Sequence, residues 1–152
     1  MKRPLLILFI LSSLLLTACW DMAEINQRLF VSSIGVDLNP DWDGESLDKY
    51  LVTYAYPNIN AIGKNASEEE KKFTFSIPSS SIFKAGKKFS TFEEFPFRYK
   101  HLQVFVIGEE LAQDGKLVRQ AIDELNRDTK INKRTQILVT AGTAREVLES
   151  KA

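Results

Sequence analysis

An α+β fold, a mixed β-sheet with an N-terminal hairpin and about three helices packed against it, follows from three observations in this 152-residue sequence. Early stretches of alternating or β-branched character are separated by turn-forming residues at hairpin spacing. Later stretches of this kind alternate with segments of helical period. One nearly unbroken apolar run, residues 102–107, reads as a buried strand. The expected order is strand, strand, strand, helix, strand, helix, strand, helix.

Residues 29–37 (LFVSSIGVD) and 49–56 (KYLVTYAY) are rich in β-branched and aromatic side chains, which predicts the hairpin. Between them, Asn39, Asp41, Asp43 and Gly44 copy positions 1, 3, 5 and 6 of a calcium-binding hand. Position 12 would be Tyr50, where a bidentate Glu is needed, so a solvated hairpin tip is expected. Residues 57–72, polar and charged, read as a long exposed connection. Residues 73–77 (FTFSI) alternate and predict a third strand, ended by Pro78.

Ser79 or Ser80 then caps a helix with Ile82, Phe83 and Phe89 on one face and Gly86 as a weak or closely packed point. Phe92, Phe95 and Phe97 crowd around Pro96; of an exposed patch and a plug for the sheet edge and core, the plug is the expected arrangement. Gly108 ends the buried strand, and Glu109 and Glu110 open a short helical turn whose dipole they complement. Adjacent helical residues do not share a face, which argues against a paired general acid and base there. Asp114-Gly115 precedes a helix whose core stripe is Leu117, Val118, Ala121, Ile122 and Leu125. Residues 136–140 (QILVT) form another strand, and Thr143-Ala144-Arg145-Glu146 is a capping box opening a helix with Val147 and Leu148 inside. A helix so close to Ala152 points to a domain series that continues beyond this chain.

The N-terminus has a different logic. Lys2 and Arg3 precede an apolar run at residues 5–16, whose 12 residues fall short of the roughly 20 that span a bilayer. A basic start, a short apolar stretch and small residues before a cut make a secretory signal. Leu16-Thr17-Ala18-Cys19 completes a bacterial lipoprotein processing site, in which the Cys19 thiol takes a diacylglyceryl group before cleavage after Ala18. Cys19 is the only cysteine, and lipidation gives it a purpose. Two acyl chains suffice for lasting attachment, and Trp20 beside them either sits at headgroup level, as amphipathic rings often do, or is incidental to the tether. The expected organisation is a signal peptide at 1–18, a lipid-anchored tether at 19–28 and an α+β domain at 29–152.

Removing residues 1–18 leaves 134 residues, with 18 basic against 20 acidic side chains and a formal charge of −2. That balance argues against nucleic acid as a partner and supplies no polybasic second anchor. No disulfide is possible within the chain. There is no Gly-x-Ser-x-Gly elbow or phosphate loop, and the single histidine rules out most histidine-rich metal sites, so an enzyme is not expected and no cofactor is implied. A solute-binding lipoprotein that delivers a small ligand to a transporter is the alternative, although two lobes around a cleft need more chain than this.

Four collinear blocks carry a family resemblance. Cys19-Trp20-Asp21 with Glu24-Ile25-Asn26, then Ile34-Gly35-Val36-Asp37, then the run from His101 through Gly108 to Ala112, then Asn126-Arg127-Asp128 with Ile131 and Arg134, resemble the N-terminal domain of the Ger(x)C spore germination lipoproteins. Asn132 departs from the basic residue usual there, and the family's later domains are absent, which implies a truncated product. The resemblance implies a non-enzymatic C subunit of a nutrient germinant receptor. It would be lipid-anchored at the outer face of the spore inner membrane, with an A-type and a transporter-like B-type integral-membrane partner. Of residue roles, only lipid attachment at Cys19 carries over. His101, Arg127 and Arg134 are candidate interaction residues; as plain structure, His101 would sit hydrogen-bonded at a strand edge, and the arginines would cover apolar surface or pair with Asp128 and Glu124.

Overall fold

Alternation in the first half of the chain is resolved by antiparallel pairing, and the apolar runs of the second half by parallel pairing. The computed structural model describes residues 28–61, 67, 71–91 and 96–150. The segments expected as signal peptide and, but for its last residue, as tether, with Cys19 among them, lie outside the described residues, as do Phe92 and Phe95.

The chain enters through β1 (Leu29–Phe30) and continues into β2 (Ser33–Leu38), which pairs antiparallel with β3 (Tyr50–Pro57). The expected single strand at 29–37 is therefore two. At the break the chain changes partners: Val31 donates its N–H to Arg98, and Ser32 donates both its N–H and its hydroxyl to Ala55 O, at 2.9 and 3.0 Å. β1 pairs instead with β5 (Phe97–Arg98), in parallel.

The third strand, β4 (Lys72–Ser79), runs antiparallel to β3 and passes through Pro78 rather than ending at it. It is an edge strand, where one row of N–H groups lacks a ladder partner and a proline is tolerated. Pro57 pairs with Lys72, so the connection is shorter than the polar stretch suggested. β6 (Val104–Ile107) and β7 (Gln136–Val139) complete a five-stranded mixed sheet in the order β4-β3-β2-β6-β7, in which β2, β6 and β7 are mutually parallel.

One sheet face carries Ile34, Val36, Tyr50, Val52, Tyr54, Phe105 and Ile107, all within the main core. Over it lie α1 (Ile82–Phe89) and α3 (Gly115–Arg127), the latter preceded by the short α2 (Glu109–Gln113). α3 buries Leu117, Ala121 and Leu125, with Val118 and Ile122 flanking. Asp114 caps α3, accepting from the Lys116 and Leu117 N–H groups at 2.9 and 3.0 Å. Phe97 is the plug expected of it: it stacks on Phe89 at 4.5 Å and packs against Tyr54 and Tyr56. Gly86 is the close-packing point, with the Tyr54 and Tyr99 hydroxyls where a side chain would go.

The cap of α1 comes from elsewhere. Ser81 is the N-cap residue but makes no side-chain cap of its own; Glu124 of α3 reaches across and accepts from Ser81 Oγ at 2.8 Å and from the Ile82 N–H at 2.9 Å. A carboxylate at a helix N-terminus satisfies an orphan donor and complements the dipole. Glu124→Ala should lower stability by about 1 kcal/mol, the usual cost of a lost N-cap. Asp123→Ala, which removes only an exposed pair with Arg127, should change it by less than about half of that. Urea denaturation of the two variants checks the difference.

Candidate functional site

On the second sheet face a single side chain organises the fold. Asp37, buried at the end of β2, accepts from the backbone N–H of Ala144 at 2.6 Å and of Arg145 at 3.0 Å, so it caps α4 (Ala144–Glu149) from 107 residues away in sequence. Thr143 adds the local half of the cap, its hydroxyl accepting from the Glu146 N–H at 3.2 Å. α4 thereby lies over β2 and β3 and buries Ala144 and Leu148 against Ala55 and Val106. Val147, expected inside, is 43% exposed, because it points away from the sheet that Leu148 faces.

Two glycines make this seat. A Cβ on Gly35 would approach the Ala144 Cβ to 3.1 Å, and one on Gly108 would collide with Asp37 Oδ1. Glu109 ties the same corner from the other side: its N–H donates to Gly142 O at 2.9 Å, and its Oε2 accepts from the Gly142 N–H at 3.0 Å. Gly142 has φ +95, a conformation that favours glycine. The two sequence blocks around Ile34–Asp37 and Val104–Glu110 are thus adjacent parallel strands whose ends converge on the start of α4. Glu109 is thus engaged in the structure of this corner, and Glu110 is exposed beside it.

The other singled-out residues have plain roles. Asp43 Oδ1 accepts from the N–H groups of Glu45 and Ser46, Asn39 bonds Asp48 O and the Asp41 N–H, and Tyr50 is buried in β3 with its hydroxyl on Leu117 O, so the calcium-like loop is a hydrogen-bonded hairpin tip. His101 sits in a 3₁₀ turn with its ring edge-on to Phe30 at 5.3 Å, an aromatic contact where a hydrogen bond was expected. Arg127 pairs with Asp123 at 2.7 Å, since Glu124 is occupied at α1 and Asp128 turns back to the Lys130 N–H. Arg134 is exposed in the loop before β7. No cluster of three or more potential metal ligands occurs among the described residues, and none of their helices is long and apolar enough to cross a membrane.

What stands out is the open edge. Among the described residues β7 pairs with β6 alone, and its apolar side chains remain accessible: Ile137 is 44%, Leu138 49% and Val139 66% exposed. Ile137 and Val139 continue the face of Phe105 and Ile107, whereas Leu138 continues the face of Val106. Native edge strands are ordinarily blunted by charge, proline or a bulge, and β7 carries none of these. An unprotected apolar edge is a template for a further strand or an apolar partner surface. Nothing in the sequence distinguished this strand from a buried one, because QILV is apolar enough for either setting.

Residues 21–152 match the family described as the spore germination protein N-terminal domain. The chain belongs to the Ger(x)C spore germination family. The YfkR protein of Bacillus subtilis (strain 168) is 29% identical over 150 residues, covering 95% of this chain and 37% of that protein. Spore germination protein KC of the same organism is 27% identical over 150 residues, covering 95% and 35%, and spore germination protein A3 is 24% identical over 147 residues, covering 97% and 38%. The chain therefore spans little more than a third of the length of the curated relatives it matches. No solved structure matches it significantly. Of the four blocks that resemble the Ger(x)C family, the second and third build the Asp37 seat described above.

Burial pushes the Asp37 carboxyl above its ordinary value, against the pull of the Ala144 and Arg145 N–H groups, whereas the N–H groups of Ser46 and Glu45 hold the exposed Asp43 below it. An acid raised in the fold binds its proton more tightly there than in the unfolded chain. Its contribution therefore declines as pH rises from the unfolded pKa through the folded one, and Asp43 contributes in the opposite sense. A carbon-13 NMR titration should place the Asp37 midpoint above the Asp43 midpoint. Gly108→Ala should destabilise by about 1–3 kcal/mol through overpacking against Asp37. Gly115→Ala, where an added Cβ meets nothing within 4 Å, should not. Thermal denaturation of both variants tests the seat.

Proposed function

We propose that this chain is a lipid-anchored, non-catalytic subunit of a spore nutrient germinant receptor, held at the outer face of the spore inner membrane through Cys19. It assembles there with integral-membrane partners, an A-type and a transporter-like B-type chain, and takes part in the initiation of germination. Membership of a spore germination family supports the process. The short apolar run ending in Leu16-Thr17-Ala18-Cys19 supports the anchor. The observation that carries the assembly role is the β7 edge, with Ile137, Leu138 and Val139 exposed on a strand that has one side unpaired among the described residues. A surface of this kind gains free energy by being covered, at roughly 25 cal/mol per Å2 of apolar area.

Two experiments test this reading. Cys19→Ala should abolish lipid attachment and move the protein from the detergent phase to the aqueous phase in detergent partitioning; unchanged partitioning would refute the anchor. Affinity capture of the native chain from spore membranes should bring multi-span germination proteins with it, as read by mass spectrometry. Leu138→Lys, at an exposed position whose substitution should leave stability nearly unchanged, should reduce that recovery by about tenfold or more, the cost of one apolar anchor at an interface. Equal recovery with the variant would show that β7 is not the assembly edge.

A further inference from the structure

The parallel strands β2, β6 and β7 all begin at one end of the domain and finish at the other, and charge is sorted along that axis. Where they finish, a cleft of about 600 Å3 is lined by Asp37, Glu109, Glu110, Glu146 and Glu149, with Arg145 among them. Where they begin, a depression of about 680 Å3 is lined by Arg28, Arg98, Lys100, His101 and Lys130, with Asp128 as the carboxylate among them. The near-neutral composition concealed this, because the basic residues come from three separate stretches: the entry to β1, the β5 turn and the loop after α3.

These cations are not balanced within the fold. Among the described residues, Lys88, Arg127 and Arg145 have carboxylate partners, whereas Arg98, Lys100 and Lys130 are exposed and make no ion pair. Asp128 spends Oδ1 on the Lys130 N–H at 2.7 Å. Arg28 Nε is buried and has no hydrogen-bond partner among the described residues. Several exposed like charges around one depression make a site for phosphate-type oxygens.

The position of the tether decides between partners. The described fold begins at Arg28, nine residues after Cys19, and nine residues reach at most about 32 Å when fully extended. We propose that the basic end of the domain seats on the anionic phospholipid headgroups of the membrane that holds the anchor, with the acidic cleft facing away. This rests on the reading of Cys19 as the lipid-bearing residue. Basic residues next to an anchor are drawn to an anionic leaflet over about one Debye length. In this pose the strands stand on the bilayer, and the β7 edge is presented sideways, where an integral-membrane neighbour would meet it.

The test uses the full chain purified from membranes and reconstituted into vesicles of phosphatidylcholine, with or without phosphatidylglycerol. A membrane-impermeant amine-reactive reagent is added, and labelling is read by mass spectrometry at Lys100 and Lys130, with Lys116 at the start of α3 as the reference. Phosphatidylglycerol should slow labelling of Lys100 and Lys130 several-fold, leave Lys116 unchanged, and lose its effect in high salt. Equal labelling in both vesicles would overturn the proposal, as would equal protection in both. Protection that needs added partner subunits but not phosphatidylglycerol would overturn it in favour of an acidic protein surface. The same spectra report the mass at Cys19, so failure of the anchor is read separately from failure of the seat.

Discussion

The rest of this fold depends on a buried carboxylate that joins two distant pieces of chain. Asp37 gives up water at the end of β2 and recovers two backbone hydrogen bonds at the start of α4. Burying a charge is costly unless it is hydrogen-bonded, and at Asp37 burial raises the pKa against the pull of the two bonds. What this arrangement secures is position. It adds to the Thr143 cap and to the burial of Ala144 and Leu148 in holding over the sheet a six-residue helix that would be marginal alone. The neighbouring glycines follow from the same constraint: Gly35 admits Ala144, and Gly108 leaves room for the carboxylate.

The two faces of the sheet are closed by different means, and the difference bears on function. The first face has a full layer of helices and an aromatic cluster in which Phe97 links β5 to Phe89, Tyr54 and Tyr56. The second has α4, which covers β2 and β3 but leaves Val147 and Leu138 accessible. β7 closes the order of strands without closing the sheet. The domain spans little more than a third of the length of the curated relatives it matches, and among the described residues its β7 edge is apolar and open.

Much of this was legible in sequence where local physics decides. The β-branched and aromatic content of residues 49–56 and the alternation in 73–77 placed β3 and β4, the stripe Leu117-Ala121-Leu125 placed α3, and the Thr143 box placed the start of α4 to the residue. The errors arose where a distant partner decides. The break between β1 and β2 depends on Arg98 and Ala55, the cap of α1 on Glu124, and the pairing of Arg127 on Glu124 and Asp128 being already engaged. Asp37 could be seen only as the last letter of a family block, because its partners lie 107 and 108 residues away. The basic end was invisible for a related reason: Arg28, Arg98 and Lys130 meet only after folding.

On the proposed function, the β7 edge is where this Ger(x)C-family chain meets a membrane-embedded partner. Site-specific photo-crosslinking tests it most directly, with a photoreactive amino acid replacing Leu138 in the full chain and irradiation of intact spore membranes. The account predicts a covalent adduct with a multi-span germination protein, absent when the same group replaces Arg119 on the exposed face of α3. Adducts of equal yield from both positions, or an edge that crosslinks only to lipid, would contradict it.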